Sequence, residues 1–243
     1  SVTELSEKSH ASEATIVRTC KKLGYQGYYH LKIALAKEVI NPDNSYPDNT
    51  DFTDITSLAT FLLKKQAEDL IQSTQFFNAE VLESILKLLA NCDTIFFFAA
   101  GNSNPLAVYG AYKFSQLGLK TVVHVSPEMQ INAAYSMGKR DLAIGISNSG
   151  STNLMVDIFK VVKERGAKSV CITNYIKSPL SKLSTHQLNT AVSDKIFFEA
   201  FDSTRVPAMG VIDMLVLLFM YKNKAHYEKY RTREEFLGSR FKG

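Results

Sequence analysis

Five short apolar runs, at residues 94–99, 121–125, 142–146, 169–173 and 195–198, recur along this chain, separated by stretches of helical periodicity such as 105–117 and 153–165. No other feature constrains the fold as tightly. A strand that is apolar throughout, rather than on alternate residues, must be covered on both faces, and strands separated by helices reach that state in a parallel sheet. The sequence therefore predicts an α/β fold built on a doubly wound, five-stranded parallel sheet.

Two amphipathic helical stretches, 58–75 and 79–90, precede the first run, so this domain is expected to span residues 55–243. Residues 41–54 hold Pro42, Pro47, three Asn and four Asp with no basic residue, and read as a linker with little to bury. Residues 1–40 read as helical and form a separate N-terminal domain. Neither an internal repeat nor a low-complexity segment is present.

A chain of 243 residues, 45% hydrophobic and 21% charged, accommodates one good-sized domain and a small companion. Its net charge of +4 is too small to argue by itself for a nucleic-acid partner. The longest apolar candidate for a membrane span, 211–221, falls short of the roughly 18 residues required and contains Asp213, so no membrane partner is expected. The chain opens without a basic-then-apolar leader and without Met, which predicts a cytoplasmic location and a start inside a longer gene product. Cys20, Cys92 and Cys171 are odd in number and lack C-x-x-C spacing, so buried reduced thiols are expected, with no metal site and no cofactor.

In the N-terminal domain Val2, Leu5 and Ala11 lie on one side of a short helix and turn, while Ile16, Cys20 and Leu23 recur at helical spacing along the next segment. Ser12 stands where an N-cap belongs and Gly24 where a C′ residue belongs, giving helix, short turn, helix. Between Ile16 and Lys37 the charged residues are Arg18, Lys21, Lys22, Lys32 and Lys37, with no acid. Such a face suits phosphates, with base edges read from the N-terminal end of the helix by Ser12, Glu13, Ala14, Thr15 and Arg18. The same pattern also suits a plain helical hairpin whose lysines only solvate one face. The run Ser12-Glu13-Ala14-Thr15-Ile16-Val17-Arg18, with Leu23-Gly24-Tyr25-Gln26-Gly27-Tyr28 and Leu31-Lys32 after it, resembles the N-terminal domain of RpiR-type bacterial regulators. That resemblance implies a helix-turn-helix binding a DNA operator through Ser12, Glu13, Thr15, Arg18, Lys21 and Lys22. It also implies further helices upstream of Ser1. His10 departs from the family, which usually carries Gly at that turn, a position expected to need positive φ.

Two loops in the larger domain carry the candidate chemistry. The first apolar run leads into Ala100-Gly101-Asn102-Ser103-Asn104-Pro105, and the third into Ser147-Asn148-Ser149-Gly150-Ser151-Thr152. Small residues at a helix N-terminus let backbone N–H groups and hydroxyls approach an anion, and loops from neighbouring strands converge on the crevice where open α/β sheets bind ligands. Neither loop has the Lys of a nucleotide-triphosphate P-loop or a complete dinucleotide fingerprint. From about residue 90 to 220 the chain resembles the SIS (sugar isomerase) family, whose flavodoxin-like fold and Ser-x-Ser-Gly-x-Thr loop it carries. The resemblance places phosphate ligands on Ser103, Ser147, Ser149 and Thr152, with Asn102 and Asn148 donating nearby and Gly101 and Gly150 shaping the loops. Where the family's first loop often has a further Gly, this chain has Ala99 or Ala100.

Thr204-Arg205-Val206, with Gly210-Val211-Ile212-Asp213 after it, resembles the closing segment of RpiR-type SIS domains. Arg205 then either reaches ligand or a neighbouring subunit, or pairs with Asp202 or Asp213. Glu128 either receives sugar hydroxyls or caps the helix at 129–135. SIS folds host isomerases and regulators alike. Glu199 and Glu128 stand as candidate bases and His124 and His186 as candidate ring-openers, but nothing in the sequence pairs them, and Ser151 occupies a position where some SIS proteins carry Glu. The attached helix-turn-helix favours a transcription regulator controlled by a sugar-phosphate effector over an isomerase, lyase or etherase. The resemblance further implies a homo-oligomer. The tail 222–242, with Tyr227 and Tyr230, is either exchanged between subunits or a solvated helix.

Overall fold

The computed structural model describes residues 2–23, 25, 27–28, 31, 54–191 and 205–241. The chain divides into two units, Ser1–Phe52 and Thr53–Gly243. The linker read at 41–54 and Gly24 lie outside the described residues, apart from Asp54, which is already the N-cap of a helix.

In the first unit α1 (Val2–Ser9) and α2 (Glu13–Lys22) flank a tight turn. Ser12 caps α2 as expected, its Oγ accepting from the Thr15 N–H at 3.2 Å. His10 has φ 51°, the left-handed conformation anticipated at that position. The Ser6 hydroxyl donates to the Ala11 carbonyl at 2.7 Å and closes the turn. Ile16 and Cys20 are buried as the helical spacing requires, but Leu23, placed on the same stripe by the sequence, is 62% exposed because α2 ends at Lys22.

The second unit begins with α3 (Ile55–Ser73), a 3-10 turn at Thr74–Phe76, and α4 (Ala79–Asn91). Then β1 (Ile95–Ala99), α5 (Asn104–Gln116), β2 (Thr121–Val123), α6 (Pro127–Ser136), β3 (Leu142–Ile146), α7 (Asn153–Glu164), β4 (Lys168–Thr173), α8 (Pro179–Leu183) and β5 (His186–Asn189) alternate. Two helices close the chain, α9 (Val206–Lys222) and α10 (Lys224–Phe241), bent by 110° at their junction. All strands are parallel in the order β2-β1-β3-β4-β5. The doubly wound sheet read from the sequence is the observed one.

Strands β1, β3 and β4 are buried on both faces, β2 only partly, and the residues alternate between two cores. Ile95, Phe97, Ile144 and Ile172 pack with residues of α4, α5 and α9, while Phe96, Phe98, Ala143 and Cys171 pack with residues of α6, α7 and α8. Gly145 lies where a Cβ would stand 2.3 Å from Phe159 Cζ, so the bare backbone of β3 admits the α7 ring. The buried residues of α9 include Val211, Ile212, Leu215, Val216 and Phe219, which explains an apolar run too short to span a membrane. Among the described residues no single helix is long and apolar enough to cross a membrane. His226, on α10, hydrogen-bonds the Leu117 carbonyl through Nδ1 at 2.7 Å, and its ring lies 5.1 Å from that of Phe219.

Two strand boundaries differ from the sequence reading. The second strand stops at Val123 rather than residue 125, because the chain turns there into Ser126 and the proline that starts α6. The fifth strand is His186–Asn189, a polar segment at the sheet edge; the run 195–198 lies outside the described residues. An edge strand paired on one side only does not need to be apolar throughout.

Candidate functional site

Chain order reverses direction across the sheet between β1 and β3: from β1 the chain moves outward to β2, then returns past β1 to build β3, β4 and β5. Ligands of open α/β sheets bind at such a switch point, outside the carboxyl ends of the strands. Both candidate loops leave these two strands, and the sequence places them at the one topologically distinguished position of the sheet.

The first loop turns through Gly101, φ +55°, as a 3-10 turn over Gly101–Ser103 and enters α5. Asn102 is exposed, whereas Ser103 is only 6% exposed and makes no capping bond with its side chain. The second loop is fastened from β4. Asn148 O accepts from the Asn174 N–H at 2.9 Å and from the Thr173 hydroxyl at 3.1 Å, and the Ser147 N–H donates to Ile172 O at 3.0 Å. Gly150 has φ +60°, and a Cβ there would meet Ser178 Oγ at 2.3 Å; its own N–H donates to Ser147 O at 3.1 Å and to Ser147 Oγ at 3.2 Å. Ser149 and Ser151 hydroxyls are paired at 3.0 Å. Thr152 is exposed at the N-cap of α7, and its hydroxyl makes no capping bond.

Between the loops lies a small, narrow pocket. Ser103, Asn148, Thr173, Thr190 and Arg205 supply its polar wall, and Leu106, Ile146, Ile172 and Ala208 its apolar one. Arg205 stands at the N-cap of α9, and among the described residues none that lines the pocket is acidic. A guanidinium, hydroxyls and the N-termini of α5 and α9 at one small opening are groups whose chemistry suits an anion.

Of the residues read from the sequence, Ser103, Asn148 and Arg205 are brought to this pocket, and Ser147, Ser149, Gly150 and Thr152 form the loop that carries Asn148. Glu128 does not line it. That side chain is exposed at the start of α6, where it accepts from the Ser126 hydroxyl at 2.6 Å; this bond holds its carboxyl below the usual range. His124 lines a shallower groove with Phe96, Val122 and Met129. His186 lies on β5, where partial burial and then Lys168 lower its pKa. Glu199 and Asp202 lie outside the described residues, and Asp213 is engaged by Tyr109 and Lys113.

A SIS domain model matches residues 88–218, and the model of the helix-turn-helix domain, rpiR family, matches residues 1–42. An HTH-type transcriptional regulator of Caldanaerobacter subterraneus subsp. tengcongensis is 31% identical over 235 residues, which cover 95% of this chain and 82% of that protein. The chain belongs to the rpiR family of helix-turn-helix transcriptional regulators. Among solved structures, the NanR protein of Vibrio vulnificus complexed with ManNAc-6P superposes with a TM-score of 0.73 at 24% identity, over 98% of this chain and 85% of that one. The sugar isomerase domain of an RpiR transcription factor from Sphaerobacter thermophilus gives a TM-score of 0.66 at 19% identity, over 73% of this chain and 98% of that one. Both likenesses are of fold.

On the regulator's other unit, Ser12, Glu13, Thr15, Arg18, Lys21 and Lys22 are all exposed along α2. The Ser12 hydroxyl is occupied in capping and in a 2.9 Å contact with Thr15 Oγ1, so its local role is structural. Sequence reasoning passed over Thr173 and Thr190. Thr173 ends β4 and Thr190 follows β5, so each lies at the carboxyl end of a strand, a position that local spacing does not mark.

Proposed function

We propose that the SIS domain of this regulator binds a sugar phosphate at the β1–β3 switch point, and that occupancy changes the affinity of its helix-turn-helix for a DNA operator. One observation carries the reading: two hydroxyl-bearing loops and Arg205 meet at one pocket, which no acid among the described residues lines. A dianionic phosphate fits the Ser103, Ser147, Ser149 and Thr152 hydroxyls with Asn102, Asn148 and the backbone of Gly101 and Gly150, and Arg205 adds charge. The ManNAc-6P bound by the superposed Vibrio vulnificus protein supports the same ligand class.

The domain division follows: residues 1–40 read DNA, 41–54 link, and 55–243 sense. The regulator acts as a homo-oligomer in the cytoplasm, placing two copies of α2 on a palindromic site through Arg18, Lys21, Lys22, Thr15 and Glu13. On this reading the domain senses its ligand rather than isomerising it: proton transfer between adjacent carbons needs a base at the ligand, and among the described residues those lining the pocket include neither a carboxylate nor a histidine.

Thermal-shift measurements with hexose, amino-sugar and pentose phosphates test the reading. A cognate ligand raises the melting temperature and alters operator retention in a gel-shift assay, while NMR shows it unconsumed. Aldose–ketose interconversion, or a ligand that binds without touching operator affinity, contradicts it.

A further inference from the structure

Gln130 of α6 is 1% exposed and takes no part in the pocket wall. Its side chain holds both backbone groups of a single residue of β1: the Ala99 N–H donates to Gln130 Oε1 at 3.2 Å, and Gln130 Nε2 donates to Ala99 O at 2.9 Å. Nε2 also lies 3.4 Å from Val125 O. The register explains why a side chain is needed there. The Ile95 N–H donates to Lys120 O, so the backbone groups of Ile95, Phe97 and Ala99 all turn toward β2. That strand pairs with Ile95, Phe96 and Phe97 and ends at Val123, leaving Ala99 with no strand neighbour on that side. The carboxamide of Gln130 supplies one donor and one acceptor and takes the place of the missing strand.

Ala99 is the last residue before the first anion loop, and Gly101 is two residues on. We propose that Gln130 is a positioning residue for effector binding: by fixing the Ala99 peptide it sets the direction in which Ala100 and Gly101 leave β1, and so where Ser103 and the N-terminus of α5 meet the ligand. The proposal rests on the phosphate reading of that pocket. A site that must present preorganised donors loses affinity when the backbone carrying them is released, even though no contact to ligand is removed.

The test uses the full chain with ManNAc-6P and inorganic phosphate as probes in titration calorimetry. Gln130→Met keeps length and apolar bulk and removes both bonds to Ala99. Val162→Ala, a cavity in the core on the same face of the sheet, serves as a variant that destabilises without touching the loop. Gln130→Met is expected to weaken binding by about tenfold or more, with amide exchange accelerated at Ala99 and Gly101 but not at Gly145, while Val162→Ala lowers the melting temperature and leaves affinity unchanged. Unchanged affinity in Gln130→Met, or a loss matched by Val162→Ala, overturns the proposal. If Gln130→Met does not fold, wild-type exchange decides: an Ala99 amide protected like that of Phe97 supports the clamp, and one exchanging at the rate of the exposed loop overturns it. Wild type that binds neither probe nor any other sugar phosphate overturns the pocket reading itself, a failure distinct from that of the clamp.

Discussion

The Tyr109 hydroxyl donates to Asp213 Oδ1 at 2.6 Å, joining α5 to α9 across 104 positions of sequence. Both helices begin at the candidate pocket, α5 just after Ser103 and α9 just after Arg205. One buttress therefore holds two walls of the site in register. Lys113 Nζ, 3.6 Å from the same carboxylate oxygen, adds a weaker, half-exposed contribution.

Tyr109→Phe is expected to cost about 1 kcal/mol of stability, the net worth of one hydrogen bond to a partly exposed carboxylate, read from denaturant unfolding. The bond to Asp213, with burial, pushes the Tyr109 pKa up to about 12 from 10. A raised folded-state pKa means that this contribution is complete below pH 10 and is lost as pH climbs toward 12. Ultraviolet titration of wild type and Tyr109→Phe should show one phenol ionising late; an ordinary titration for Tyr109 contradicts the buttress.

Burial pushes the Cys92 and Cys171 thiols up to about 11, and Cys20 is 1% exposed. Thiolate is the reactive species, so the native regulator at about pH 8 should be nearly inert to a thiol reagent and react fully once unfolded. Rapid labelling of the native protein at Cys92 or Cys171 contradicts this.

Gly150→Ala places a Cβ against Ser178 Oγ at a left-handed φ. About 1–3 kcal/mol of strain is expected, with the second loop displaced and ligand binding lost. Retained affinity shows that Gly150 does not shape the site.

Ser12→Ala removes the cap of α2 and is expected to destabilise the N-terminal unit by about 1 kcal/mol, seen as lower operator affinity with ligand binding unchanged. Arg18→Ala, by contrast, should weaken operator binding and reduce its salt dependence without altering stability.

Strands β1 and β3 were legible because burial on both faces leaves no polar residue to blur the pattern, and β4 because its centre, Val170, Cys171 and Ile172, is apolar. Strand β5 was not, since His186 and Gln187 lie at an edge where half-burial suffices. The serine loop was legible because local sequence builds it. Thr173, Thr190 and Gln130 reach their positions through the sheet's register, which no local spacing encodes. Leu23 shows the converse: the helical period ran past the helix.

The most direct test of the account is calorimetric titration of phosphorylated and dephosphorylated forms of one amino sugar into wild type and Ser149→Ala. The account predicts binding of the phosphorylated form alone, weakened by about 1–3 kcal/mol when the Ser149 hydroxyl is removed. Equal affinity for both forms, or for both proteins, contradicts it.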